Sequence, residues 1–291
     1  MYRYRTPLVC LLCSIASIAC AETPVVDLIL IAGQSNAVGY DAKPSELPPS
    51  PIDGDVLFWW RCGDPPPDDH DSVSMSRWTH LQPQPLGNPK KPREGRQYGN
   101  FAQAEGGFGP EIGLARTLRQ RSEQRVAIVK AAFSGTGMRT DWNPEDPGDG
   151  GACYRSLVAE TKAAIAAAEA DGITLRIRAL AWVQGESDAN ARDAENYKHA
   201  LSKMIHSLRQ DLAAPTLIAM LAVNTRFGGG KNTFMPKIIE SQKAVAASDA
   251  LCVYVDTSTA SIANNVHYDA AGTLEVGRMF AETLLETEAA N

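Results

Sequence analysis

Three things are in short supply in this sequence. Cysteine is the first: there are six in 291 residues, and Cys10, Cys13 and Cys20 all fall in the first 21. The spacing of the remaining Cys62, Cys153 and Cys252 matches no metal site, and an odd set of three allows at most one internal bridge. Basic charge is the second, with 28 Lys and Arg against 34 Asp and Glu, for a net charge of −6. That balance leaves no electrostatic footprint for nucleic acid. Long apolar runs are the third: Pro7 to Ala19 is too short to span a bilayer, so no stable membrane insertion is expected.

What the N-terminus does carry is a leader pattern. Arg3 and Arg5 precede the apolar stretch, and Ala19-Cys20-Ala21 puts small residues where a signal peptidase reads. Residues 1–21 are therefore expected to be a cleaved secretory signal. The remaining 22–291 lose Arg3 and Arg5, move from −6 to −8, and are placed in a secreted or periplasmic setting. A lipoprotein site at Cys20 is the weaker alternative, because Ser17 stands where leucine is usual. In an oxidising compartment Cys62 and Cys153, in loop-like sequence, are the better candidates for a disulfide. Cys252, inside the apolar run Leu251 to Val255, reads as a buried thiol.

Val25 to Ala32 is a nearly continuous β-branched and aliphatic run stopped by Gly33, the pattern of a strand covered on both faces. Similar runs recur at 125–133, 175–183, 216–223 and 251–255. Helix-like stretches at 110–121, 154–170, 189–212, 233–247 and 270–288 alternate with them. Regular alternation of this kind predicts α/β architecture in three layers, with a central parallel sheet of about five strands between helices, and one domain over 22–291. Such sheets bind ligands at the carboxyl ends of their strands. One region departs from the pattern. Residues 40–107 read as a long loop insertion, and 44–92 alone hold 11 of the 18 prolines together with Trp59, Trp60 and Trp78. Two readings stand side by side for it: a packed surface excursion, or a substrate-binding wall with exposed aromatics. Asp68-Asp69-His70-Asp71 within it reads as a solvated charge run, and no metal is assigned.

Four of the strand ends deliver polar clusters. Gly33-Gln34-Ser35-Asn36 follows the first strand, where a serine hydroxyl and backbone N–H groups can face one point; it is not the G-x-S-x-G elbow, since Ala37 replaces the second glycine. His267, after the last strand, is the candidate base for Ser35, because its loop opens on the same sheet edge. His70, His80, His199 and His206 lack that placement. Gln184, in Gln184-Gly185-Glu186-Ser187-Asp188, offers a carboxamide to a developing oxyanion, and Gly135, in Ser134-Gly135-Thr136-Gly137, offers a backbone N–H. Taken singly, each block has a blander explanation as a capped turn or a phosphate cradle.

Together these blocks, with His267-Tyr268-Asp269-Ala270-Ala271-Gly272, resemble the sialate O-acetylesterase-like branch of the SGNH hydrolases, which also holds acetyl xylan esterases of carbohydrate esterase family six. The resemblance spans roughly Val25 to Leu285. It implies a flavodoxin-like fold, no cofactor, and an acetylated carbohydrate as substrate. By the resemblance Ser35 looks like the nucleophile and His267 like the general base. Gly135 and Gln184, with the Ser35 N–H, look like the oxyanion hole, and Asn36 joins them as a substrate-binding residue. One position departs from the family: three residues before the histidine an aspartate is usual, and here stands Asn264. Either a Ser–His dyad works with a backbone carbonyl, or another acid substitutes, with Glu186 first and Asp269 and Asp256 behind it. The rival reading is a non-catalytic glycan-binding protein on the same fold. A net charge of −8 favours neutral, xylan-like glycans over sialic acid.

Overall fold

Apart from Met1, the computed structural model describes residues 25–67, 71–87 and 101–290; the expected leader, with Cys20, lies outside the described residues. The first strand, β1 (Val25–Gly33), shows why the apolar runs are unbroken. Leu28, Leu30 and Ala32 point into one core, while Ile29 and Ile31 point into another on the opposite face. Each Leu or Ile so buried contributes roughly 1.5–3 kcal/mol. A one-turn helix, α1 (Ser35–Val38), follows, and then the long insertion, which supplies β2 (Leu57–Gly63), β3 (Ser72–Val73) and β4 (Thr79–His80). The chain continues through α2 (Glu111–Arg121), β5 (Val126–Phe133), α3 (Ala152–Ala170), β6 (Thr174–Val183), α4 (Tyr197–Asp211), β7 (Ile218–Ala222), α5 (Met235–Ser248), β8 (Cys252–Tyr254) and α6 (Ala270–Ala290).

The sheet runs β3-β2-β5-β1-β6-β7-β8, with β4 also pairing to β2. Strands β2, β5, β1, β6, β7 and β8 are parallel, and β3 and β4 are antiparallel to β2. Helices α3, α4 and α5 cover one face and α2 and α6 the other, giving three layers. Without β2 the parallel order is the flavodoxin-like 2-1-3-4-5, and the chain reverses direction at β1, the place where such sheets bind ligands. Among the described residues no helix is long and apolar enough to cross a membrane.

The insertion is not the structureless loop that its prolines suggest. Residues 57–63 enter the sheet beside β5, so six parallel strands replace the expected five or so. The tryptophans go inward with them. Trp59 and Trp60 are 1% and 5% exposed, on opposite faces of β2, and donate their indole N–H groups to Glu160 Oε2 (2.7 Å) and Ser72 Oγ (3.2 Å). Trp78 packs against Trp59 and donates to the Ala164 carbonyl at 3.0 Å. They are core, not a substrate wall. The expected disulfide is also absent. Cys62 lies in β2 on one face of the sheet and Cys153 begins α3 on the other, so the two buried thiols are not bridged. Asp71, the described end of the acidic run, is buried against Arg61 at 3.1 Å. Among the described residues no cluster of His, Cys, Asp and Glu is arranged to hold a metal.

Candidate active site

At the carboxyl edge of the sheet lies a cavity of about 490 Å³ lined by Gln34, Ser35, Tyr40, Ser134, Gly135, Ser187, Phe227, Val266 and His267. Three strand ends meet here because two glycines let them. At Gly33 (φ +134°) a Cβ would sit 2.1 Å from the Val183 carbonyl oxygen, so only glycine allows β1 and β6 to end this close together. Gln34 then ties the edge: its N–H donates to Val183 O at 3.0 Å, and its Oε1 accepts from Ser187 N at 3.2 Å. Ser35, the first residue of α1, is 6% exposed and lines the cavity. Gly135, at φ +68°, brings its backbone to the same wall. Among the described residues the N–H groups of Ser35 and Gly135 have no acceptor. Two unused donors and a hydroxyl thus share one small space.

His267 lines the opposite side. Its Nδ1 lies 2.6 Å from Oδ2 of Asp41, and both side chains are mostly shielded, at 14% and 16% exposure. The same Asp41 oxygen accepts from Asn264 Nδ2 at 2.9 Å. Asp41 is held below the usual carboxylate range, first by the His267 hydrogen bond, which outweighs the opposing effect of burial, and then by the weaker effect of the Asn264 hydrogen bond. It is the charged partner of the ring. With Nδ1–H donating to Asp41, a neutral His267 presents Nε2 as an acceptor. The Tyr40 ring, 4.7 Å away between centroids, packs against the imidazole. Asn264 Oδ1 accepts from the backbone of Val266 and His267 at 2.8 and 3.0 Å, so this residue shapes the histidine loop while its amide donates one hydrogen to Asp41.

The acids expected from the sequence are elsewhere. Glu186 is buried and does not reach the imidazole; its Oε1 accepts from Asn36 Nδ2 (2.8 Å) and Asn224 N (3.1 Å). Burial pushes its pKa up, as befits a carboxyl with no cation in contact. Asp269 accepts from Ser261 Oγ and from Gly272 N at the start of α6, and Asp256 accepts from Ser258 N in an exposed turn. Asp41 sits at the start of the insertion, six residues after Ser35, where sequence alone marks it only as a turn residue. The signal for it was Asn264 itself, since an amide at the acid's place has hydrogens to give to a carboxylate.

Two more expectations change. Gln184 is fully buried, and its Nε2 spends both hydrogens, on Thr136 O (2.9 Å) and Asp188 Oδ2 (2.6 Å), while Oε1 accepts from Tyr197. It has nothing left for an oxyanion and does not line the cavity. Asn36 is likewise committed: Nδ2 donates to Glu186 Oε1 and to Val266 O (3.1 Å), and Oδ1 accepts from Tyr268 N (3.1 Å). Its side chain therefore grips the backbone on both sides of His267 instead of touching a substrate. Asn224 Nδ2 adds a second bond to Val266 O at 3.0 Å.

The sheet order and a cavity at the switch point of its carboxyl edge define the class: a three-layer α/β/α protein of flavodoxin-like topology with its candidate site at that edge. The chain belongs to the carbohydrate esterase family described as sialic acid-specific acetylesterase, whose family model matches residues 25–286. A probable carbohydrate esterase of Arabidopsis thaliana is 28% identical over 184 residues, which cover 62% of this chain and 64% of that protein, a little under two thirds of its length. Among solved structures, an Arabidopsis thaliana protein superposes with a TM-score of 0.64 at 21% identity, over 90% of this chain and 99% of its own. NanS gives 0.57 at 16%, over 92% and 99%. XAC1771, a carbohydrate acetylesterase of Xanthomonas citri, gives 0.58 at 16%, over 91% of this chain and 57% of its own. At these identities the structural likeness is one of fold.

Proposed function

We propose that the protein is a carbohydrate O-acetylesterase that works through an acyl-enzyme on Ser35. The observation that carries this reading is the 2.6 Å contact of Asp41 with His267 Nδ1, on a ring that shares its cavity with Ser35. His267 Nε2 takes the Ser35 proton as the hydroxyl oxygen attacks the acetyl carbonyl. Asp41 stabilises the imidazolium that results. The N–H groups of Ser35 and Gly135 receive the oxyanion, each such donor being worth ~3 kcal/mol of barrier. Collapse of the tetrahedral intermediate expels the sugar hydroxyl, which takes the proton from His267, and water then releases acetate by the same sequence.

The substrate we assign is a neutral O-acetylated glycan, xylan-like in character. Among the described residues the cavity wall includes no Lys or Arg to recruit the carboxylate of an acidic sugar, and the acidic chain repels one at longer range. Phe227 and Val266 give the acetyl methyl an apolar seat. Secretion after removal of residues 1–21 completes the reading, since polymeric glycans lie outside the cell. The non-catalytic binding alternative, which Asn264 favours, loses that support with Asp41 beside His267, and the tryptophans such a binder would display are packed inward. The test is acetate release from acetylated xylan and from O-acetylated sialic acid, with fluorophosphonate labelling of Ser35. We expect labelling, faster release from xylan, and loss of both labelling and release in Ser35→Ala. Undiminished aryl acetate hydrolysis by Ser35→Ala would overturn the mechanism.

A further inference from the structure

Strand β5 reads Val-Ala-Ile-Val-Lys-Ala-Ala-Phe and is buried along its whole length, Lys130 included at 0% exposure. An ammonium group withdrawn from water is costly unless its hydrogens are all accepted. Here they are: Lys130 Nζ donates to Val38 O at 2.8 Å, Gln84 Oε1 at 2.7 Å and Glu111 Oε1 at 3.0 Å. Glu111 Oε1, at the start of α2, also accepts from Gly109 N (2.7 Å) and Gln84 Nε2 (3.1 Å). A methionine would fill the same volume without desolvating a charge, so packing alone does not explain the lysine.

What the ammonium reaches, and an apolar chain does not, is the carbonyl of Val38. That is the last residue of the single helical turn begun by Ser35, and helix geometry leaves it no partner of its own. The next three residues are Gly39, Tyr40 and Asp41. Gly39 turns left-handed (φ +83°), and a Cβ there would lie 1.8 Å from Phe108 O, so the turn is pressed onto the segment that closes over the ammonium. Tyr40 O then accepts from Ala102 N at 2.8 Å, and Asp41 arrives at His267. Gln84 belongs to the same insertion, and its backbone pairs with Gly107 in both directions, at 2.7 and 3.0 Å.

We propose that Lys130 is a positioning residue for the acid: it anchors the Val38 carbonyl from beneath the sheet edge, and so fixes the Gly39–Asp41 turn that presents Asp41 to His267. This rests on the reading of Asp41 as the triad acid. The experiment is a double-mutant cycle of Lys130→Met and Asp41→Asn, with aryl acetate turnover normalised to fluorophosphonate-reactive Ser35. Displacing a catalytic group by about 1 Å costs on the order of 10²-fold, so Lys130→Met is expected to lower kcat by about that factor with KM within about twofold. In the Asp41→Asn background the same change is expected to cost less than about threefold, because the group it positions is already gone. A merely structural lysine gives equal factors in both backgrounds, and that result, or an unchanged kcat in Lys130→Met, overturns the proposal. Should Lys130→Met not fold, Glu111→Gln keeps the shape and an acceptor while removing the counter-charge, and is judged by the same non-additivity. An Asp41→Asn variant of wild-type kcat would refute the triad reading itself, and is recognised without reference to Lys130.

Discussion

Replacing Asp41 by asparagine preserves size and removes the charge that faces the imidazole. In the structure this carboxylate receives the His267 Nδ1 hydrogen at 2.6 Å, on a pair shielded to 14% and 16% exposure. When the ring becomes cationic in the transition state, a full negative charge about 4 Å from its centre is worth ~4 kcal/mol at an effective dielectric near 20. At 1.36 kcal/mol per decade that is about three powers of ten in rate. A second penalty adds to it: an amide that turns its NH₂ toward Nδ1 stabilises the tautomer carrying hydrogen on Nε2, which cannot accept the serine proton. In the serine-protease template the corresponding change costs about 10⁴ in kcat. We therefore expect Asp41→Asn to lower kcat on an aryl acetate by 10³–10⁴, on the order set by these two effects. KM should be little changed, because Asp41 does not line the cavity. The assay is steady-state turnover per labelled Ser35, with circular dichroism to verify the fold. A loss of less than about tenfold would sink the argument that the carboxylate and not a backbone carbonyl supports His267.

Other consequences follow from the same contacts. Asn36→Ala leaves Val266 O with only Asn224 and strips Tyr268 N of its acceptor; we expect a stability loss of about 1–3 kcal/mol in urea melts, together with a fall in kcat. Asp188 is buried under Gln184 and Met138 and has its pKa pushed up to about 7, chiefly by desolvation. The folded state therefore holds that proton more tightly than the unfolded chain, so stability falls as pH rises from the ordinary aspartate range to about 7. Asp188→Asn, which mimics the protonated form, should gain on the wild type by about 2 kcal/mol between pH 5 and pH 8, and a pH-independent difference in melting would count against the assignment. Because Asp41 is shifted the other way, its hydrogen bonds with His267 and Asn264 contribute above the usual carboxylate pKa and are lost only as pH drops through its lowered folded value, so moderate acid should leave them intact. Finally, dithiothreitol should leave the melting temperature unchanged, since Cys62 and Cys153 are separated by the sheet.

Period and alternation were enough to locate β1, β5, β6, β7 and β8, and with them the edge where Ser35, Gly135 and His267 gather. They do not say which way a strand-end side chain turns. Gln184 stands at that edge yet turns into the core, where Thr136, Asp188 and Tyr197 take up its amide. Strand β2 was hidden by its neighbourhood: four prolines at 44–51 and three at 65–67 bracket Leu57–Gly63, so an ordinary buried strand looked like part of a loop. Asp41 was hidden for a different reason. Local sequence marks it as a turn residue after α1, and only the approach of the Asn264–His267 loop, more than 220 residues away, turns it into the partner of an imidazole.

The grip of Asn36 on both sides of His267 has a consequence for how this chain tolerates change. Ser35 and His267 are 232 residues apart in sequence, yet the side chain next to one is bonded to the backbone flanking the other. Their separation is thus gauged directly, by this asparagine together with Asn224 and Asp41, which bond to the same loop. Loops on the far edge of the sheet are therefore expected to accept lengthening, shortening, or cutting and rejoining to create new termini with the Ser35–His267 spacing kept.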